Sequence, residues 1–139
     1  MQENIGNSER PTFTMTSSTK PVLNTPVCLD TTAKRRVKAS TLATDVIIGS
    51  ISSVESGGTS NLWHVTVPLV GPIKEITCFS TIAIGNRLVP NTSSQLIAQA
   101  VNLAGANHKF SPGIALESLG SGETADIEVL LMPQYIPVT

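Results

Sequence analysis

Val27-Cys28-Leu29-Asp30-Thr31-Thr32-Ala33-Lys34-Arg35-Arg36-Val37 is a short apolar strand, a polar turn and the start of a second strand. About sixty residues on, Arg87-Leu88-Val89-Pro90-Asn91-Thr92-Ser93-Ser94-Gln95-Leu96-Ile97 has the same layout. Each copy then reaches a glycine (Gly49, Gly113), a small apolar run and a glycine turn (Gly57-Gly58, Gly120-Ser121-Gly122). An alternating strand follows, with Trp63, Val65 and Val67 in the first copy matched to Ile127, Val129 and Leu131 in the second. Period-two alternation places such residues on one face of a sheet. The chain therefore reads as two similar β units, about 26–67 and 86–131, within one mainly β domain of the small-barrel or tulip-like kind.

Composition agrees with that class. Thr and Ser make up 31 of the 139 residues, which suits strands and polar turns better than long helices. Hydrophobic residues are 40% but aromatics only 4%, so Val, Ile, Leu and Ala must fill the interior. The net charge of −1 is not the basic surface that nucleic-acid binding needs. No run is long enough to cross a membrane as a helix, and no apolar leader opens the sequence. The reading is a protein of a soluble compartment, with neither nucleic acid nor membrane as partner.

Two segments lie outside this plan. Residues 1–24 are polar and carry Pro11 and Pro21, with Phe13 and Met15 as their large apolar groups. They read as a flexible arm outside a 25–139 domain, because they bury too little to offset the entropy of ordering. Within the arm, Pro11-Thr12-Phe13-Thr14-Met15-Thr16 alternates with strand period and is the candidate for pairing with another protein's sheet edge. The connector Pro68-Leu69-Val70-Gly71-Pro72 cannot be a central strand, since its prolines lack ladder donors. Residues 95–104 suit a short helix by the spacing of their apolar positions. The repeat argues instead for a strand there, because Leu96-Ile97 matches Arg36-Val37, and the strand is preferred.

The chemistry of an enzyme is not legible. His64 and His108 have no Cys or carboxylate partners at metal-ligand spacing. Gly120-Ser121-Gly122 lacks the surroundings of a nucleophile elbow. The glycine pairs read as hairpin turns rather than phosphate loops. Cys28 and Cys78, each within an apolar strand, read as small buried hydrophobes. No catalytic residue, metal site or cofactor is expected. Charge is uneven: Lys34, Arg35, Arg36 and Lys38 crowd one turn, while Glu117, Glu123, Asp126 and Glu128 lie near the end. These ends are either two solvated faces or complementary surfaces of neighbouring subunits. On the second reading Lys34, Arg35 and Arg36, with the apolar Leu69 and Val70, form a subunit interface.

Thr25-Pro26-Val27-Cys28-Leu29-Asp30-Thr31-Thr32-Ala33-Lys34-Arg35-Arg36-Val37, followed by Val46-Ile47-Ile48-Gly49, resembles the head decoration (cement) proteins of lambda-like tailed phages. The second half is similar to other phage capsid cement proteins in Ala83-Ile84-Gly85-Asn86-Arg87-Leu88-Val89, in Gly113-Ile114-Ala115-Leu116 and in Asp126 to Leu131. The resemblance implies a structural, non-catalytic protein. It implies a homotrimer on the outer surface of an icosahedral head that clamps neighbouring major capsid proteins. It also implies an N-terminal arm, here the residues before Thr25, that orders on docking. Size departs from the pattern, since the lambda-like proteins carry one unit of this type and this chain carries two. The competing expectation is a receptor- or glycan-binding module on a virion, with Trp63 as the stacking ring.

Overall fold

A computed structural model describes residues 12–42, 44–68, 71–99 and 110–135. The described elements are all strands: β1 (Thr12–Thr16), β2 (Pro26–Leu29), β3 (Val37–Ala39), β4 (Gly49–Ser50), β5 (Ser53–Ser56), β6 (Leu62–Thr66), β7 (Ile73–Phe79), β8 (Arg87–Pro90), β9 (Leu96–Ala98), β10 (Phe110–Ala115) and β11 (Thr124–Tyr135). The mainly β class is as read from the sequence, and residues 96–98 are strand, as the repeat required. Residues 100–104 and His108 lie outside the described residues.

β7 to β11 close into a barrel in the order β10-β11-β7-β9-β8, with β7 and β9 parallel and every other pair antiparallel. β1 to β6 trace the same circuit. β6 lies between β1 and β5, and β2 lies between β3 and β4. A parallel bridge between Thr14 and Arg36 joins β1 to β3. The run from Gly49 to Ser56 joins the other side, pairing first with β2 and then with β6. The first half is thus two three-stranded sheets that together trace the circuit of the closed barrel; it is called barrel one below, and the closed barrel is barrel two.

The duplication extends to single residues. Phe13 faces Val65 as Ile76 faces Ile127, and Val27 faces both Ala39 and Gly49 as Leu88 faces Ala98 and Gly113. The buried cores follow suit. Phe13, Met15, Val27, Val37, Ile51, Val65 and Val67 fill barrel one, and Ile76, Cys78, Leu88, Leu96, Ala115, Ile127 and Val129 occupy the matching places in barrel two. The turns entering β2 and β8 also agree. Asn24 N–H donates to Ile51 O (2.7 Å) and Ile51 N–H to Thr25 O (3.2 Å); Gly85 N–H donates to Ala115 O (2.8 Å) and Ala115 N–H to Asn86 O (2.9 Å). Asn24 and Gly85 both have positive φ, a conformation that Asn and Gly tolerate best.

Three details differ from the sequence reading. First, the last strands are two residues out of the proposed match, since Val65 corresponds to Ile127 and Trp63 to Ala125. A slip of two leaves inward and outward faces unchanged, so periodicity alone cannot detect it. Second, the copies do not align without a gap. The turn between β2 and β3 spans residues 30–36, and its counterpart spans only 91–95.

Third, and most consequential, residues 12–24 are not a flexible arm. β1 pairs along its whole length with β6, and Phe13 and Met15 are buried in barrel one. The segment looked too poor in apolar groups to order itself. It needs only two, because they complete a core the rest of the barrel already encloses. The β fold therefore begins at β1 rather than at residue 25; residues 1–11, Pro11 included, lie outside the described residues.

Two substitutions test this architecture. Phe13→Ala removes a core aromatic and is expected to cost about 3 kcal/mol, read from chemical denaturation; an unchanged midpoint would return β1 to an arm. Gly113→Ala places a Cβ against the Leu130 carbonyl, whereas at Gly49 the nearest atom is Val67 Cγ1, 2.8 Å away. The backbone clash yields less readily than a side chain, so Gly113→Ala is expected to lower the melting temperature more than Gly49→Ala.

Candidate interaction surfaces

An edge strand with unpaired N–H and C=O groups must be covered or paired. β1 and β7 hold matching positions in the two barrels, and each meets its parallel neighbour at one bridge only. Their remaining edge groups are satisfied in different ways. In barrel one the basic turn does it. Thr14 N–H donates to Arg35 O (2.9 Å), and the Arg35 guanidinium donates to Thr12 O (3.0 Å) while lying 5.3 Å over the Phe13 ring. Arg36 Nε donates to Thr14 Oγ1 (3.4 Å). Arg35 takes up positive φ to reach this place (φ 53°).

In barrel two the equivalent turn is two residues shorter, and barrel one supplies the partners. Thr77 N–H donates to Asn24 O (2.9 Å), and Ser50 Oγ–H donates to Glu75 O (3.0 Å). Asp126 locks the contact. Its two carboxylate oxygens accept from Asn24 Nδ2 (2.9 Å) and Thr77 Oγ1 (2.7 Å). Ile47 of barrel one joins the core cluster of barrel two. A groove of about 220 Å³ remains between barrel one and the β8–β9 turn, with Met15, Pro21, Ile51 and Ser94 among its walls.

The residues expected at a capsid or subunit contact are therefore partly engaged within the chain. Thr12, Phe13, Thr14, Met15 and Thr16 pair with β6 and are not a free strand. Arg35 and Arg36 hold β1 within the chain, and Lys34 is exposed beside them. Leu69 and Val70 lie outside the described residues. The acidic group is likewise occupied locally: Glu117 accepts from Glu128 N–H (2.8 Å), Glu123 from Gly120 N–H (2.7 Å), and Asp126 bridges the barrels. Trp63 is half-buried, packs partly against the core, and its indole N–H donates to Ser17 O (3.0 Å).

Sequence reasoning missed a set of exposed apolar side chains. Val22 (70% exposed), Ile84 (68%), Leu29 (55%) and Leu42 (53%) are the most open, followed by Ile73, Met132 and Val46. Leu29 and Val46 line a surface groove of about 320 Å³ with Cys28, Lys38, Asp45 and Ile48. Apolar character alone does not report their exposure, because the strand face decides it.

Cys28 and Cys78 are free and buried. Burial, with nearby Asp45, pushes the Cys28 thiol up to about 11; burial, with Asp126, pushes Cys78 up to about 12. Hydrogen bonds from Thr32 hold the Asp30 carboxyl below its usual range. Among the described residues, no three His, Cys, Asp or Glu side chains gather as metal ligands. Comparison with known proteins gives no matching family model and no matching curated sequence.

Two tests follow. Asp126→Ala removes the acceptor of both Asn24 and Thr77 and is expected to cost about 1–3 kcal/mol, with new proteolytic cleavage near residues 68–72; unchanged stability and cleavage would mean that the lock is idle. The thiols favour the protonated state when folded, so this contribution is present below about pH 9 and is lost as pH rises towards 11–12. Cys78→Val should accordingly flatten the alkaline fall in melting temperature, and a fall identical to the parent's would contradict the assignment.

Proposed function

We propose that this chain is a structural virion protein that binds the outer surface of an icosahedral phage head and clamps neighbouring major capsid proteins, assembling there as a homotrimer. The observation that carries the reading is the group of open apolar side chains, Val22, Leu29, Leu42 and Ile84, set on a frame of two barrels. Exposed apolar groups mark a partner surface where they lie together, and Leu29 and Val46 do so on one groove. The segment most similar to the cement proteins, Thr25 to Val37, is the β2–turn–β3 hairpin that carries Leu29 and the basic turn.

Two barrels joined through Asn24, Ser50 and Asp126 suit a clamp. A protein that binds only the expanded, assembled shell stabilises it by mass action, in proportion to RT ln(1 + [L]/Kd). Contact with two capsid subunits at once raises the effective strength of each contact. Barrel surfaces carry the docking in this reading, because β1 is folded into barrel one.

The test is co-sedimentation of purified protein with expanded heads. The parent is expected to pellet with heads, and Val22→Asp with Leu29→Asp to lower its affinity at least tenfold while leaving the melting temperature within a few degrees. A parent that stays in the supernatant, or variants that bind as well as it does, would contradict the proposal.

A further inference from the structure

The two barrels use matching surfaces differently, and the difference leaves one surface open. Barrel one presents Asn24 and Ser50 to the edge of β7; Ser50 and Pro26 are buried there. Register places Gly85 where Asn24 stands and Ile114 where Ser50 stands, because Pro26 faces Ser50 as Arg87 faces Ile114. Among the described residues nothing covers this face in barrel two, and it is more apolar. Ile73, Leu130 and Ile114 form an in-register row across β7, β11 and β10. Ile73 is 50% exposed, Met132 next along β11 is 47% exposed, and Ile84 projects from the adjoining turn at 68%.

The chain also shows what such a face accepts. Its counterpart on barrel one is closed upon a strand edge that offers an N–H (Thr77) and a C=O (Glu75) two residues apart. The same edge exists on β1, as Thr14 N–H and Thr12 C=O, but the basic turn covers it. A second copy of this chain is therefore excluded as the occupant through β1. Without that cover, a head-to-tail contact between copies would propagate, into a ring where the rotation closes and into a fibre where it does not.

We propose that the outer face of barrel two is a docking surface for an unpaired β-strand edge of a partner protein, and that the Asp30–Arg36 turn keeps this chain's own first strand from occupying it. The partner's edge is flanked by apolar side chains that meet Ile73, Ile114, Leu130 and Met132. The Gly85 C=O, counterpart of the Asn24 C=O, accepts from the partner's edge N–H, and the apolar row supplies the rest of the contact, since Ile114 has no donor where Ser50 stands. The anchor that Asn24 makes to Asp126 within the chain has no counterpart here, since Gly85 stands in the place of Asn24 and has no side-chain donor. Contact at this face is accordingly weaker than the contact between the barrels, as befits a separable partner. This surface does not depend on whether the partner is a phage shell.

The test uses the chain's own edge as the probe. Replacing residues 30–36 with the shorter sequence of 91–95 uncovers β1. The variant, checked for native circular dichroism, is expected to show at least a doubling of mass over the parent by light scattering, rising with concentration. Adding Ile114→Arg is expected to restore the parent's mass. A folded variant that keeps the parent's mass, or one whose assembly survives Ile114→Arg, would overturn the proposal. Should the new turn unfold barrel one, a labelled peptide of residues 72–80, which carries the β7 edge, replaces it. Saturable binding to the parent, weakened at least tenfold by Ile114→Arg, is the expected result; no saturable binding would overturn the proposal. Neither arm includes a phage head, so loss of head binding and loss of this surface are separately visible.

Discussion

Two backbone groups on the first strand of each barrel decide how this molecule is put together. Thr14 N–H and Thr12 C=O in barrel one, and Thr77 N–H and Glu75 C=O in barrel two, lie on edges that meet their parallel neighbour at a single bridge. Leaving such groups buried and unpaired costs more than any one hydrogen bond returns. Barrel one solves the problem within itself, through the longer basic turn. Barrel two solves it by leaning on barrel one. The tandem arrangement, the polar lock at Asp126 and the open face of barrel two all follow from that asymmetry.

Length in one turn is therefore the variable that separates two otherwise equivalent units. Seven residues between β2 and β3 let Arg35 enter the left-handed region and reach back over Phe13. Five residues between β8 and β9 place Ser94 in the same conformation without an arm long enough to cover an edge. A guanidinium combines five donors with a flat face for an aromatic ring, which is why Arg rather than Lys serves here. The charged turn thus covers a strand edge, a use of charge common at exposed strands.

Much of this was legible from residue order. The doubled hairpins, the paired glycines at 49 and 113, and the strand at Leu96 are visible as pattern, because alternation and turn residues report local geometry directly. The role of β1 was not. Thr12-Phe13-Thr14-Met15-Thr16 reads as a strand from its period, but nothing local says whether its partner is β6 or a foreign edge. The basic trio was equally ambiguous: Arg35 and Arg36 next to a solvated turn look like surface charge until β1 is placed beneath them. Exposure of Leu29 and Ile84 likewise depends on which side of the sheet the barrel closes, a property of register that sequence leaves undecided to within one residue.

Amide hydrogen exchange at Thr14 and Thr77 tests the central claim most directly, since each reports one of the two edges. The account predicts that both amides are protected to the level of the barrel cores, with Thr14 no faster than Val65. Exchange at Thr14 at the rate of an unstructured chain, with Val65 still protected, would show that the first strand is not part of barrel one and would contradict the paired-barrel account.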